Sequence, residues 1–508
     1  MNAKSHKKTK SNAEWFPGKR DVLVNIVNYR ARKCPEALFA EYPISSTAYD
    51  DGYREINYAD FANAVNGAAS WMEEHLGRGR NFETLAYIGP NDIRYAALVL
   101  GAVKAGYKLL LLSPENSIAA YSNLLDLLNC KTMLVPDPQP PMISAVLTEH
   151  RLRVLAVLSV DYFLNHKHPY YPYKKRFENV GLELLLAFQT PGSTGLPWAI
   201  MWSRECAATY SSIAQIDPPS RHESYDRLMQ PASPLVSLCS AITNRTALVY
   251  PLSGAVPNAR LLADSLKYTK ADVALISPRI TTALGKDPKL LNFLSSRLKT
   301  LIVLGEPVPV ESRNRVAKDI KFLCPYRSSE LGYPPEIHSD ADSIRQDWRY
   351  HHFHPGLGIE FQRVEGNLHE LWMIRDRKLE ERRPIFKLNP HVDAFESGDL
   401  FSPHPSHSNL WASRGRALDI LSPTKPLSSP GWSPAVESPQ EKMHQPLKMA
   451  EKTSHNKPAI SKVVTVATDP SHQNPKPIVS LEEIRGGGKN HERAPKSNRP
   501  TSHRQSNS

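Results

Sequence analysis

Between residues 84 and 135, short apolar runs alternate with stretches whose apolar positions recur at helical spacing. Thr84–Ile88 is an apolar run of strand length. Ile93, Ala96, Ala97, Leu100 and Val103 then fall on one helix face, with Asn91 or Asp92 placed to cap it and Gly106 beyond its end. Lys108–Leu112 reads as the next strand, roughly Ser117–Leu128 as the next helix, and Thr132–Val135 as a third strand. Strands joined through helices must run parallel, so this order predicts an α/β fold with a parallel sheet covered by helices on both faces. Val273–Ser277, Leu301–Leu304 and Lys321–Cys324 read as further buried strands. After Tyr350 the pattern changes. Ile359–Val364 and Leu368–Ile374 flank Glu365-Gly366-Asn367, which predicts an antiparallel hairpin and a later antiparallel β portion.

Composition adds limits to that picture. The chain has 508 residues, 41% hydrophobic and 22% charged, enough apolar material for a large core. The most apolar stretch, Ala96–Leu112, is broken by Lys104 and Lys108, so no window reaches the roughly 18 apolar residues of a membrane span. No apolar segment follows the basic start MNAKSHKKTK, and a cytoplasmic chain with no membrane partner is expected. Cys34, Cys130, Cys206, Cys239 and Cys324 form no CxxC pair, so reduced and mostly buried thiols are expected.

The net charge of +12 resides in two tails. Residues 1–20 carry six Lys/Arg against one Glu, and residues 422–508 carry thirteen Lys/Arg against seven Asp/Glu, leaving the body at about +1. The globular part thus has no electrostatic reason to bind nucleic acid. Residues 422–508 hold twelve of the 43 prolines and Trp432 as their sole Phe, Trp or Tyr, a composition that predicts disorder. Gly486–Lys489 lacks the preceding strand and following helix of a phosphate loop. The expected organisation is a basic tail over 1–20, a globular unit over 21–421 and a Pro-rich basic tail over 422–508.

The most informative stretch is the apolar Leu184–Phe188 followed by Gln189-Thr190-Pro191-Gly192-Ser193-Thr194-Gly195-Leu196-Pro197. A strand that runs into small hydroxylated residues between glycines leaves backbone N–H groups and hydroxyls free to surround phosphate oxygens, although a lone GSTG is also what an ordinary surface turn looks like. Three further segments follow in order: Tyr326-Arg327-Ser328-Ser329-Glu330, Ser397-Gly398-Asp399-Leu400 and Gly415-Arg416-Ala417-Leu418-Asp419. Taken singly, Glu330 or Asp399 reads as a solvated carboxylate or a helix cap, and Arg416 as a surface residue.

Together and in this order the segments resemble the core motifs TSGSTGxPK, YGSTE, TGD and GRxDD of the AMP-binding, adenylate-forming superfamily. AYIGPNDIRYAALVLGAVKAGYKLLLLSPENS, GNLHELWMIRD and FESGDLFSPHPSHSNLW look like the adenylation domain of fungal nonribosomal-peptide-synthetase-like carboxylate reductases, and the resemblance runs from about Asp21 to Leu421. It implies the large subdomain of the adenylate-forming fold, a small carboxylic acid substrate, ATP and Mg²⁺, and an acyl-AMP product passed to a carrier or thiol acceptor. By resemblance, Thr190, Gly192, Ser193, Thr194 and Gly195 hold the β- and γ-phosphates. Ser328 and Ser329 belong to the nucleotide loop, with Ser329 at the α-phosphate; Glu330 binds Mg²⁺ and Tyr326 lies against adenine. Asp399 accepts from the ribose hydroxyls, and Arg416 reaches the ribose or phosphate region. The acyl pocket is implied over 230–257 and 304–307.

Several positions depart from the family pattern. Trp198 follows Pro197 where the family has Lys, Pro191 replaces a Ser, Arg327 replaces the Gly of YGSTE, and Leu418 replaces the first Asp of GRxDD. Losing a compact cation and a backbone donor weakens the hold on pyrophosphate. Arg327 must swing away or contact a phosphate. Past GRxDD the chain turns into Ser422-Pro423-Thr424, so the family's Lys-bearing C-terminal subdomain, a GGxS carrier site and a reductase domain are all expected to be missing, with any carrier acting in trans. His351-His352-Phe353-His354 is read as a surface run before the hairpin, not a metal site. Three functions stay open at this level: weakened carboxylate adenylation, a non-catalytic nucleotide- or acyl-binding relic acting as an interaction protein, and nucleic-acid binding through the tails.

Overall fold

The computed structural model describes residues 22–176, 183–190, 196–203, 227–229, 238, 239, 241, 242, 245–253, 255–304, 308–328, 330, 331, 334, 336, 337, 350–380, 383, 385, 386 and 389–417. The chain opens with α1 (Leu23–Lys33), β1 (Leu38–Pro43), β2 (Tyr53–Asn57) and α2 (Tyr58–Leu76). Asn57 starts α2 through a capping box, its side chain accepting from the Asp60 N–H while the Asp60 carboxylate accepts from Asn57 N–H.

The alternating segment follows as expected, with β3 (Thr84–Tyr87), α3 (Ile93–Ala105), β4 (Lys108–Leu111), α4 (Ile118–Leu127) and β5 (Thr132–Val135). Asp92 caps α3 by accepting from the Arg94 N–H, and Gly106 closes it in the left-handed conformation at φ +92°. Next come α5 (Pro141–Glu149), β6 (Arg153–Ala156), α6 (Val160–Asn165), β7 (Leu184–Thr190), β8 (Trp198–Ser203), β9 (Arg227–Met229) and β10 (Ala247–Val249). The second α/β series holds α7 (Ala259–Ser265), β11 (Val273–Ile276), α8 (Pro278–Lys286), α9 (Pro288–Ser295), β12 (Thr300–Val303), α10 (Val310–Asp319) and β13 (Lys321–Leu323). The strands β14 (Tyr350–His351), β15 (Ile359–Glu365), β16 (Leu368–Ile374), β17 (Ala394–Pro403) and β18 (Trp411–Arg416) complete the described chain.

Among the described residues the strands form three sheets, in the orders β6-β5-β3-β4-β7-β8, β13-β12-β11-β9-β10-β1-β2 and β14-β18-β17-β16-β15. The first two are parallel apart from the edge strands β8 and β2. Alternating side chains sort each sheet's two faces into different cores. Leu85, Tyr87, Leu109 and Leu186 pack with α1, α2 and α3 and with Leu248, Val273 and Leu275 of the second sheet. Ala86, Leu110, Met133 and Ala187 face α4 and α5. Val249, Ala274, Ile276 and Leu301 face α7 to α10. The result is a helix–sheet–helix–sheet–helix stack, and the expected hairpin over residues 359–374 is the edge of the antiparallel sheet.

Cys130 and Cys239 are buried and Cys34 and Cys324 half-buried, none of the four in a disulfide, while Cys206 lies outside the described residues. Among the described residues no helix is long and apolar enough to cross a membrane. One expectation is corrected. His351 and Phe353 are buried rather than on the surface, because β14 pairs with β18 and turns His351 inward, and Phe353 two residues on bridges to Glu336.

Candidate functional site

The phosphate-loop segment joins β7 to β8, which pair antiparallel out to Thr190 opposite Trp198. Pro191, Gly192, Ser193, Thr194 and Gly195 lie outside the described residues, as does the Thr190 side chain. Both ends of the segment are fastened to α4 and the turn before it. The Asn116 amide donates to Gln189 Oε1 at 2.6 Å and accepts from Gln189 Nε2 at 2.7 Å. Asn123, on α4, donates to the Pro197 carbonyl at 2.9 Å. Tyr121 of the same helix donates to the Ser113 carbonyl at 2.7 Å, which fixes the turn that carries Asn116. Sequence reasoning missed Asn116, Asn123 and Gln189, whose partners stand more than seventy residues away along the chain. Trp198 is 41% exposed, so its indole stands at the sheet edge outside the core.

The second group gathers at the antiparallel sheet. Tyr326 follows β13 and is buried, its ring edge-on to Phe353 and Phe401 at centroid separations of 5.6 and 5.3 Å. Its hydroxyl donates to Asp399 Oδ2 at 2.5 Å. Asp399 on β17 stands opposite Arg416 on β18, and Arg416 Nε lies 3.2 Å from Asp399 Oδ1. Each carboxylate oxygen therefore has a donor. Gly398, at φ +70°, takes the left-handed turn before Asp399, and its N–H donates to Glu370 Oε1 at 2.7 Å.

Electrostatics set the character of the cluster. Burial raises the Asp399 pKa above the ordinary carboxylate range, opposed by Arg416 and the Tyr326 hydroxyl. Burial also raises Glu330, with Arg416 opposing and Asp399 adding to the rise. The Glu330 Oε2 atom is buried without a hydrogen-bond partner. A buried carboxylate oxygen lacking a donor has the chemistry to accept a hard cation, so Glu330 fits Mg²⁺. Among the described residues no group of three His, Cys, Asp or Glu could hold a metal unaided. Mg²⁺ held by one carboxylate needs phosphate oxygens and water for the rest of its octahedron. Ser328 Oγ accepts from the Leu331 N–H at 3.0 Å. Ser329 and Leu418 lie outside the described residues, and Arg327 points to solvent.

A support behind Tyr326 was not foreseen. Buried Glu336 accepts from the Tyr326 backbone N–H at 2.6 Å and from His351 Nδ1 at 3.1 Å. The inward placement of His351 was available from the period-two alternation of His351 and Phe353 with His352 and His354. Thus Tyr326, Glu330, Asp399 and Arg416 are brought together. Part of the implied acyl-pocket region, including 230–237 and 305–307, lies outside the described residues.

The stacked parallel sheets with an appended antiparallel sheet are those of the N-terminal subdomain of adenylate-forming enzymes. The chain belongs to the AMP-binding enzyme family, whose profile matches residues 35–327, more than half its length. It is 28% identical over 436 residues to the isocyanide synthase-NRPS hybrid crmA of Aspergillus fumigatus, covering 81% of this chain and 28% of that protein. It is 27% identical over 425 residues to a carboxylic acid reductase of Neurospora crassa, covering 80% of this chain and 40% of that protein. The chain thus spans well under half the length of these curated relatives. Among solved structures, O-succinylbenzoate coenzyme A synthetase of Bacillus subtilis in complex with AMP superposes with a TM-score of 0.60 at 13% identity, over 78% of this chain and 79% of that one. The inhibitor-bound N-terminal domain of FACL13 from Mycobacterium tuberculosis gives a TM-score of 0.61 at 17% identity, over 78% of this chain and all of that one.

Proposed function

We propose that the unit spanning residues 21–421 binds Mg-ATP and joins a small carboxylic acid to AMP. The observation that carries this reading is the Tyr326–Asp399–Arg416 chain beside the unpartnered Glu330 oxygen. Tyr326 presents its ring to adenine from a position fixed by Glu336 below and Asp399 at its hydroxyl. Asp399, already oriented by two donors, accepts from the ribose hydroxyls with its remaining lone pairs. Arg416 supplies positive charge to the ribose and α-phosphate. Glu330 holds Mg²⁺, which offsets the charge that builds on the phosphates. Backbone and hydroxyl groups of Thr190, Gly192, Ser193, Thr194 and Gly195 receive the β- and γ-phosphates, with Ser328 and Ser329 shaping the loop at the α-phosphate.

In the reaction, a carboxylate oxygen forms the bond to the α-phosphorus while the bond to the bridging oxygen breaks, and pyrophosphate leaves with the electron pair. The protein's part is to hold two anions in line and neutralise them. Trp198 in place of a cation weakens the grip on pyrophosphate, so slow turnover is expected, with the acyl group passed to a thiol or carrier. The same Trp198 favours the second reading, a nucleotide- or acyl-binding interaction protein without turnover.

Carboxylate-dependent exchange of pyrophosphate into ATP, beside calorimetry of Mg-ATP binding, separates the two. Exchange abolished by Glu330→Gln supports adenylation. Mg-ATP binding without exchange across a panel of carboxylic acids supports the second reading, and no binding at millimolar ATP overturns adenylation and leaves the second reading in its acyl-binding form.

A further inference from the structure

A cavity of about 690 Å³ opens at the amino ends of β3 and β4, lined by Phe82, Lys104, Tyr171 and Lys174 among others, with Arg78 and Glu73 at α2 and the turn after it. Because β4 and β7 run parallel and the phosphate-loop segment leaves the carboxyl end of β7, the cavity lies at the opposite end of the sheet from that segment. Its volume suits a small organic ligand.

The cavity is positively charged at its floor. Lys104 is 2% exposed and donates to Asn66 Oδ1 at 2.6 Å, Asn28 Oδ1 at 3.1 Å and the Tyr171 carbonyl at 3.4 Å. All three acceptors are neutral, so nothing hydrogen-bonded to this ammonium compensates its charge, and burial lowers its pKa to about 8. At the rim, Arg78 and Lys174 are exposed and form no ion pair among the described residues, whereas Lys175 pairs with Glu183. Glu73 is the one carboxylate in the lining.

Two further observations mark this as a built site. The Tyr171 hydroxyl, on a residue 7% exposed, makes no well-formed hydrogen bond, and burial together with the Glu73 carboxylate beside it raises its pKa. Asn81 and Phe82 both adopt left-handed backbone, at φ +54° and +53°, a rare state for a bulky aromatic residue. The Phe82 carbonyl is held there by Lys108 Nζ at 2.7 Å. The strained turn sets an aromatic side chain in the wall of the cavity that Tyr171 and Glu73 also line.

We propose that this cavity is a second ligand site, for a small organic monoanion with a flat apolar body, an aryl or acyl carboxylate. Arg78 and Lys174 draw the anionic group in, Lys104 compensates its charge from below, the Tyr171 hydroxyl turns from Glu73 to donate to it, and Phe82 covers the apolar body. A nucleotide polyphosphate is disfavoured, because a single cation lies inside and Glu73 would repel the added charge.

The test is fluorescence titration of the full chain with 8-anilinonaphthalene-1-sulfonate, an aromatic monoanion, with displacement by benzoate, by AMP and by inorganic pyrophosphate. The expected result is saturable dye binding displaced by benzoate. Tyr171→Phe and Arg78→Ser, neither of which disturbs a core contact, should each weaken it about tenfold, the effect of one charge-assisted hydrogen bond or ion pair. Glu330→Gln, in the other group of residues, should leave dye binding unchanged, so failure here is distinct from failure of the nucleotide reading. Absence of dye binding, or binding indifferent to Tyr171→Phe and Arg78→Ser, overturns the site. Displacement by AMP and pyrophosphate but not by benzoate overturns the carboxylate class.

Discussion

The side-chain amides of Gln189 and Asn116 exchange two hydrogen bonds, 2.6 and 2.7 Å long, across seventy-three residues of chain. The pair ties the end of strand β7 to the turn before α4, and it makes a stronger anchor than either residue alone because each amide satisfies both its polar ends at once.

Replacing Gln189 leaves the half-buried Asn116 amide without its partner, and replacing Asn116 leaves Gln189 with only the Ser113 N–H at 3.4 Å. Asn116→Ala or Gln189→Ala should therefore cost about 1–2 kcal/mol of stability, while the double variant costs less than the sum. Denaturant unfolding of the four proteins measures the coupling. Mg-ATP affinity should fall further than stability does, because the pair positions the loop more than it supports the core.

Tyr326→Phe removes the phenol's hydrogen bond to Asp399 and leaves Arg416 as its remaining donor. ATP affinity should fall about tenfold, and the preference for ATP over its 2′-deoxy form should shrink, since the ribose acceptor loses its orientation. Calorimetry with both nucleotides reads this directly.

Glu330 carries a raised pKa from burial, so the folded chain binds a proton that the unfolded chain releases at the same pH, and stability contributed by this group falls as pH rises through the raised value. Glu330→Gln should accordingly stabilise the nucleotide-free protein at pH 7 by about 1 kcal/mol and lose that advantage on acidification. The same change should abolish magnesium-dependent ATP binding. Thermal unfolding at pH 5 and pH 7, with and without Mg-ATP, tests both halves.

Lys104 behaves in the opposite sense. Its pKa is lowered to about 8, so between that value and the ordinary 10.5 the unfolded chain binds more protons and stability rises with pH. The rise from pH 7 to 9.5 is on the order of 2 kcal/mol for this one group. Cys239 and the half-buried Cys324, with pKa values raised by desolvation to about 12 and about 11, pull the other way as the pH climbs. The difference in slope between the chain and Lys104→Met isolates the lysine.

Trp198→Lys restores a cation next to the phosphate-loop segment. The indole is 41% exposed, so its loss should change stability by less than about 0.5 kcal/mol. Mg-ATP binding and any pyrophosphate exchange should strengthen several-fold at low salt and less at high salt.

What could be read from the chain follows a physical divide. The β3–α3–β4–α4–β5 segment was legible because local signals agree there: apolar periodicity, the Asp92 cap and the Gly106 stop. The hairpin over residues 359–374 was legible from its alternation and its Gly366 turn, which takes φ +54°. Residues 22–76 carried no comparable run, and β1 and β2 owe their place to strands far along the chain, β10 above all. In the candidate site, Tyr326, Glu330, Asp399 and Arg416 were identified by motif order. Their supports, Glu336 and His351, Gln189 and Asn116, were missed because each is defined by a partner rather than by its neighbours in sequence. Lys104 was noted only as a break in an apolar run, yet it sits on the cavity floor.

The register of β17 and β18 has a kinetic corollary. Arg416 rests on Asp399, and β18 ends there. A group carried immediately past residue 417 is tethered to within a few residues of that carboxylate, and a short tether alone supplies an effective concentration on the order of millimolar. A thiol or amine arriving on another molecule starts without that advantage and must make up the difference with an interface of its own.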